Sequence, residues 1–282
     1  MPEKETRNVR YEAELLFLFS AFALNTGNAI AKSFFDTANP ATLAWLRMFG
    51  AMVVAAAVAG PGRLRPSLWS RDELKSAAIF GLSTGLTSSF FYLAVDRLPL
   101  GKGVAIEFIG PITVAAILTR TRRNALALLL AVGGVAILSG VELGDEALGV
   151  VFILLAATSW AFHIVYGSRV ARAHAGIDGL AMAFVFGTVL TLPFGLVDAA
   201  AVVSHPWLLL IGLAVGTLAS VTSYGTDQRI LRKVSVRHYS VLLAMLPIVS
   251  SLFGFVVFDQ SPTGWDFVGG ALIILGIVLQ ER

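Results

Sequence analysis

Apolar residues run along this chain in long blocks, each bounded by Pro, Gly or charge. The blocks fall near residues 14–35, 40–60, 74–95, 101–119, 124–140, 147–168, 179–197, 207–227, 237–258 and 264–280. They are too long for strands and do not alternate, so they predict helices. About 20 apolar residues suffice to cross the hydrocarbon core of a bilayer. The pattern therefore predicts an all-α membrane protein with ten transmembrane helices. The first block contains a run, Leu15 to Leu24, that has the length of a signal-peptide core. Glu12 and Glu14 stand directly before it, where a signal peptide carries positive charge, so it is expected to be the first membrane helix.

Polar side chains recur inside several blocks at helical spacing, one stripe per helix. The first helix carries Asn25, Asn28 and Lys32. The third carries Thr84, Ser88 and Tyr92. The sixth carries Ser159, His163 and Tyr166, with Trp160 alongside, and the eighth carries Thr217, Ser220, Tyr224 and Asp227. Polar groups are costly in lipid and normally face the bundle interior. Singly, each Ser or Thr is explained by helix–helix hydrogen bonding. Together the stripes predict a polar central cavity.

The two halves of the chain echo each other. Pro111, Gly133-Gly134 and Gly140 recur as Pro247, Gly269-Gly270 and Gly276 at one constant offset, and Gly81-x-x-x-Gly85 is mirrored by Gly212-x-x-x-Gly216. Division into residues 1–143 and 144–282 gives five helices each. An odd number makes the second half enter the membrane from the opposite side, so the expectation is an inverted 5+5 repeat, an architecture of secondary carriers with the binding site at the repeat interface.

Charge sets the orientation. With the N-terminus inside, 17 of the 21 Lys and Arg residues fall in inside segments and only Arg97 and Lys102 outside, while Lys32 and Arg47 lie within helices. This asymmetry predicts both termini in the cytoplasm. It also accounts for the net charge of +3 without a nucleic-acid partner. Charged residues make up 14% of the chain against about a quarter in soluble domains, a deficit spread over the whole length, which leaves no room for an extramembrane domain. The absence of cysteine excludes disulfides, thiolate metal sites and a cysteine nucleophile. No cofactor and no metal are expected.

Arg47 and Glu107 are the sharpest pair of candidate residues. Each lies six or seven residues inside the outer end of its helix, roughly 10 Å deep at 1.5 Å per residue. Either they form a structural ion pair, or Glu107 holds a substrate ammonium and Arg47 a carboxylate. Lys32 can snorkel to the outer interface. His163 is either a proton carrier or a hydrogen-bond partner. Trp45, Trp160 and Tyr92 are candidates for an apolar cavity wall. Pro111 and Pro247 are expected mid-helix, as kinks or hinges. Gly81-Leu-Ser83-Thr-Gly85 matches the hydrolase pattern G-x-S-x-G, but it lies inside an apolar helix rather than on a strand–turn–helix elbow, so close helix packing is expected there. No Walker A loop, zinc-protease motif or dinucleotide fingerprint is present, which points away from an enzyme and from ATP-driven work.

The stretch Leu98-Pro-Leu-Gly-Lys-Gly-Val-Ala-Ile-Glu107-Phe-Ile-Gly-Pro111 resembles the corresponding part of bacterial threonine/homoserine exporters. Trp45-Leu-Arg47-Met-Phe, Leu246-Pro247-Ile-Val-Ser-Ser-Leu-Phe-Gly and the final Gly-Gly-Ala-Leu-Ile-Ile-Leu-Gly fit the same pattern. Together they resemble the EamA-type branch of the drug/metabolite transporter superfamily, which also holds aromatic amino acid exporters. One departure is Phe258-Asp259-Gln260, where that family commonly has Gly-Glu. The resemblance implies ten helices as an inverted repeat, a central cavity, and export of amino acids such as threonine, homoserine, methionine or aromatic amino acids across the bacterial inner membrane by alternating access. The substrate-binding set expected on this reading is Asn25, Asn28, Trp45, Arg47, Thr84, Ser88, Tyr92, Glu107, Ser159, Trp160, His163, Tyr166, Ser220 and Tyr224. The expected partners are a small-molecule substrate and the lipid bilayer; monomer and homodimer both fit. A multidrug exporter is the alternative within the superfamily, and an intramembrane enzyme the alternative outside it.

Overall fold

The computed structural model describes residues 2–119, 121–139, 145–173, 177–233, 242–243 and 245–279. Among these residues the chain is helical, with no strand. The first part comprises α1 (Pro2–Lys32), α2 (Pro40–Ala59), α3 (Arg71–Val95), α4 (Leu100–Glu107), α5 (Ile109–Thr119) and α6 (Arg122–Ser139). The second comprises α7 (Asp145–Ala173), α8 (Ile177–Leu190), α9 (Leu208–Gly216), a π-helical segment at Thr217–Thr222, α10 (Ser223–Lys233), α11 (Leu246–Phe258) and α12 (Gly264–Leu279). Short helical turns at Leu192–Gly195 and Ala199–Ser204 link α8 to α9. Gly140, the 143/144 boundary and most of the expected start of the 237–258 helix lie outside the described residues.

Local chemistry sets several boundaries. Asn39 caps α2, its side chain accepting from the Ala41 amide at 2.9 Å, with Pro40 in the first turn, where its missing N–H costs nothing. Gly60, at φ 87°, ends that helix. Ser70 and Glu73 form a capping box at the start of α3. Asp259 takes the left-handed conformation after α11, at φ 52°, and the Gln260 amide then donates back to Gly254. The Gln260 side chain in turn accepts from the Leu100 amide, joining the end of α11 to the start of α4.

Two expectations about proline need correction. The expected helix 101–119 is broken at Phe108. Pro111 has no N–H for the carbonyl four residues back, that of Glu107, and its ring crowds that position, so the break precedes it. Pro111 thus sits in the first turn of α5 and Pro247 in the first turn of α11, rather than in mid-helix.

The distribution of side chains is inverted relative to a soluble protein. Asn25 and Ser220 are fully buried, and Arg47 is 4% exposed, whereas Leu129 is 69% exposed, along with Leu15, Phe19, Val151, Phe162 and Val256. Exposed apolar surface on this scale, around a polar interior, is stable only against lipid. Among the described residues five helices are long and apolar enough to cross a membrane: Tyr11–Lys32, Pro40–Ala59, Arg71–Val95, Glu146–Val170 and Leu208–Asp227. Shorter apolar helices accompany them. The chain is an all-helical membrane protein.

Glycines let the helices approach closely. A Cβ on Gly50 would meet the Gly212 backbone, one on Gly216 would meet Ala51, and one on Gly81 would meet the Ala183 carbonyl. The G-x-S-x-G stretch is therefore a packing seam between α3 and α8, and the Ser83 hydroxyl donates to Phe80 of its own helix. Gly134 and Gly269 meet in the same way where α6 crosses α12.

Candidate functional site

The densest polar cluster surrounds Arg47 on α2. Its Nε donates to Ser220 Oγ at 3.0 Å, Nη1 to Asn28 Oδ1 at 3.1 Å and Nη2 to the Ala219 carbonyl at 2.9 Å. The guanidinium also lies 5.8 Å from the centre of the Tyr92 ring, and the Tyr92 hydroxyl donates to Asn28 Oδ1 at 3.4 Å. Side chains from α1, α2, α3 and the π-helical segment thus converge on one cation. All its hydrogen-bond partners are neutral.

The expected pairing of Arg47 with Glu107 is not formed. The three guanidinium nitrogens are occupied by Asn28, Ser220 and Ala219, and Glu107 stands at the end of α4, where the break at Phe108 turns the chain. Glu107 is half-buried and, among the described residues, has no hydrogen-bond or ion-pair partner. The two groups nevertheless lie within each other's electrostatic reach. Asn25, one turn before Asn28, donates to the Ala21 carbonyl at 2.9 Å, but its own Oδ1 is buried without a partner.

A second group adjoins the first. Thr84 Oγ1 lies 2.7 Å from His163 Nδ1 and 2.7 Å from the Phe80 carbonyl. The carbonyl can only accept, so the hydroxyl proton goes there and Nδ1 carries the imidazole hydrogen. The His163 ring packs 4.7 Å from Phe80 and 5.2 Å from Tyr224, which also leans on Phe184. Arg47 acts electrostatically on both His163 and Tyr224. Trp160 sits edge-on to Phe108, at 5.1 Å, beside the helix break that carries Glu107. Ser88 and Ser159 are buried on α3 and α7.

Two expected residues lie apart from these groups. Trp45 donates from Nε1 to the Thr188 carbonyl at 2.8 Å, stacks on Phe49 and covers Gly195, so it fastens α2 to α8 and the turn beyond it. Tyr166 lies beneath Arg169, whose guanidinium carbon is 4.6 Å from the ring centre, and packs with Trp69 and Phe80. A cleft of about 180 Å³ opens at that end of α3 and α7, lined by Trp69, Asp72, Glu73 and Arg169. Lys32 does not reach freely to the interface: it bonds to the Val95 carbonyl at the end of α3 and lies over Phe35 and Phe258.

The stripe expected along Thr217, Ser220, Tyr224 and Asp227 is split. A π-helical turn takes up about one more residue than an α turn, which advances the following side chains by roughly 100°. Ser220 consequently faces Arg47, Tyr224 faces His163, and Asp227 accepts from Ser20 of α1 at 2.9 Å. Ser20 was not among the expected site residues. Its signal in the sequence was that it is the one polar residue between Leu15 and Leu24.

Comparison with known proteins places this geometry in a class. Residues 147–280 match the EamA-like transporter family. The threonine/homoserine exporter RhtA of Salmonella typhimurium strain LT2 is 28% identical over 265 residues, covering 92% of this chain and 88% of the relative. RhtA of Escherichia coli K12 is 26% identical over the same coverage. An uncharacterized transporter of Archaeoglobus fulgidus is 26% identical over 133 residues, 46% of each chain. One crystal structure of a protein shares the fold, with a TM-score of 0.60 at 19% identity over 95% of this chain and 97% of that one. The chain is thus a multi-pass helical membrane protein related to small-molecule transporters. Within that class its resemblance is to the EamA-type branch of the drug/metabolite transporters.

Proposed function

We propose that this protein belongs to the EamA-type transporters and is a secondary exporter of amino acids, working by alternating access around Arg47. The observation that carries this reading is a pair of opposite charges held apart. Arg47 is buried among neutral acceptors, and Glu107 has no partner among the described residues. A buried charge without a counter-charge is unfavourable by several kcal/mol as an order of magnitude. A zwitterion supplies both missing partners: its carboxylate replaces Asn28 and Ser220 on the guanidinium fork, and its ammonium meets Glu107 and the orphan oxygen of Asn25. Small polar neighbours such as Ser88 and Thr84 suit a hydroxyl side chain, while Trp160, Tyr92 and Tyr224 accommodate apolar or aromatic ones. Export of threonine and homoserine, the activity of the RhtA relatives, fits this chemistry. A lipophilic cation, the substrate of a multidrug exporter, would face Arg47 without a carboxylate to offer it.

The ten-helix inverted repeat, with both ends in the cytoplasm, is part of this proposal. Helix pairing supports it. If α1, α2, α3, α4–α5 and α6 correspond to α7, α8, α9–α10, α11 and α12, then the packing of α3 on α8 has its counterpart in α9 on α2. Likewise α3 on α7 corresponds to α9–α10 on α1, and α4 on α11 and α6 on α12 map onto themselves. The matched prolines follow the same rule, each opening a helix after a break.

The test is uptake of labelled threonine, homoserine, methionine and phenylalanine into liposomes holding the purified protein. Saturable flux of at least one of them, competed by the others and lost on removal of either the ammonium or the carboxylate, is expected. Flux no greater than in empty liposomes for the whole panel overturns the reading.

A further inference from the structure

The cleft between α3 and α7 lies apart from the Arg47 and His163 groups. It is lined by Trp69, Asp72, Glu73 and Ser76 at the start of α3 and by Arg169 and Val170 at the end of α7. The membrane-crossing stretches of these helices are Arg71–Val95 and Glu146–Val170, so the cleft opens where both pass from hydrocarbon into the headgroup layer. Trp69 is a residue of that layer. Its Nε1 donates to the Arg63 carbonyl at 3.2 Å, and Glu73 accepts from the Ser70 amide at 2.7 Å, so both are tied into the wall.

Asp72 and Arg169 bring opposite charges to this cleft, yet no ion pair joins them, and among the described residues neither side chain pairs with another charge. Arg169 is steadied by the Tyr166 ring, 4.6 Å from its guanidinium carbon, a contact that leaves its N–H groups for an outside acceptor. Asp72 offers only acceptors, and Ser76, one turn further along α3, adds a hydroxyl. Two unlike charges held apart at one cleft suit a ligand that carries both. We propose that the cleft binds the headgroup of a phospholipid with a primary ammonium, the chemistry of phosphatidylethanolamine, with the phosphate on Arg169 and the ammonium on Asp72.

The surface beyond the cleft points to a lipid. Leu148, Leu155 and Phe162 precede Arg169 at intervals of seven residues, hence on one face of α7, and all three are exposed. Phe162 and Leu155 lie roughly 10 and 20 Å along the helix from Arg169 at 1.5 Å per residue. One leaflet is about half of a 30 Å hydrocarbon core, so an acyl chain anchored at Arg169 runs down this stripe. The exposed Arg65, Arg71 and Lys75 nearby draw anionic headgroups to the surface, but in the cleft itself Asp72 and Glu73 repel a headgroup that carries no cation. A trimethylated ammonium has no N–H to give Asp72. Because α3 belongs to the first part of the chain and α7 to the second, one headgroup bridges the two parts at this end. The site does not rest on the export reading, since Asp72 and Arg169 make no contact with the Arg47 group.

The test uses the full chain, freed of lipid in detergent and then offered phosphatidylethanolamine, phosphatidylcholine and phosphatidylglycerol with identical acyl chains, with retained lipid counted by native mass spectrometry. Phosphatidylethanolamine should be retained about tenfold over each of the others, the equivalent of one charge-assisted hydrogen bond. Asp72→Asn should lower it to the level of phosphatidylcholine, and Arg169→Gln should abolish its retention. Equal retention of the three lipids, or a preference unchanged in either variant, overturns the proposal. Water-soluble glycerophosphoethanolamine should displace the lipid only at large excess. Displacement at equal concentration makes this a site for a soluble ligand, and displacement by threonine makes it an entrance for substrate; either result refutes the lipid. Asp72 and Arg169 are exposed, so the variants should fold. Should one fail, the unaltered protein decides with mono- and dimethylated phosphatidylethanolamine: retention should fall with each methyl, and retention indifferent to methylation overturns the assignment.

Discussion

Replacing Arg47 by Lys isolates what the guanidinium does, because it keeps the charge and removes the planar fork. The three nitrogens of Arg47 reach three separate acceptors, Ser220 Oγ, Asn28 Oδ1 and the Ala219 carbonyl, at 3.0, 3.1 and 2.9 Å. A single ammonium cannot reproduce that spread. Each charge-assisted hydrogen bond contributes about 1.5–3 kcal/mol net. Loss of one such bond to a substrate carboxylate should therefore weaken binding roughly 10- to 150-fold. The assay is equilibrium binding of labelled threonine to purified Arg47→Lys, with thermal unfolding of the same sample run alongside. An intact variant with unchanged affinity refutes the role of the fork. A lowered unfolding midpoint with unchanged affinity would make Arg47 a purely structural cross-brace.

Other outcomes follow from individual contacts. Glu107→Gln should weaken binding of amino acids but not of their deaminated analogues, since only the former bring an ammonium; equal losses for both in competition assays would remove Glu107 from the ammonium site. Gly50→Ala should destabilise the protein by about 1–3 kcal/mol through overpacking against Gly212, whereas Gly270→Ala, which meets nothing within 4 Å, should not; thermal midpoints of the two variants compare them directly. Trp45→Phe should lower the midpoint through loss of the bond to the Thr188 carbonyl, a net contribution of about 1 kcal/mol, while leaving substrate affinity intact, as binding isotherms would record.

Much of the interior was legible because bilayer solvation writes it plainly. Asn28, Tyr92, Thr84, His163 and Ser220 were readable as polar points in apolar blocks, and all of them lie in the two adjoining groups. What was not legible depends on backbone geometry. The segment Thr217–Thr222 carries no marker of a π-helical turn in its sequence, yet that turn sends Ser220 and Asp227 to different neighbours. The same holds for Arg47 and Glu107. Depth suggested a pair, but the break before Pro111 parts them, and neutral groups on α1 and the π-helical segment reach the guanidinium instead. Trp45 and Tyr166 illustrate a third limit. Spacing places an aromatic ring on a face but does not say whether it lines a space or fastens two helices, as Trp45 does through Thr188.

The bonds that Arg47 makes to Ser220 and Ala219 span 173 and 172 residues of chain. At about 5–20 residues per second, a ribosome needs roughly 10–35 s to pass from one partner to the other. At the start of that interval the nascent second helix carries a cation into the membrane with only Asn28 already synthesised to shelter it, and Tyr92 follows with the third helix. Insertion must then proceed with the helix either lodged at the insertion machinery or shallow enough for the side chain to stay wet. Completion of α9 and the turn after it would release the arrested intermediate, so the last third of synthesis governs when the first third becomes committed to its final depth.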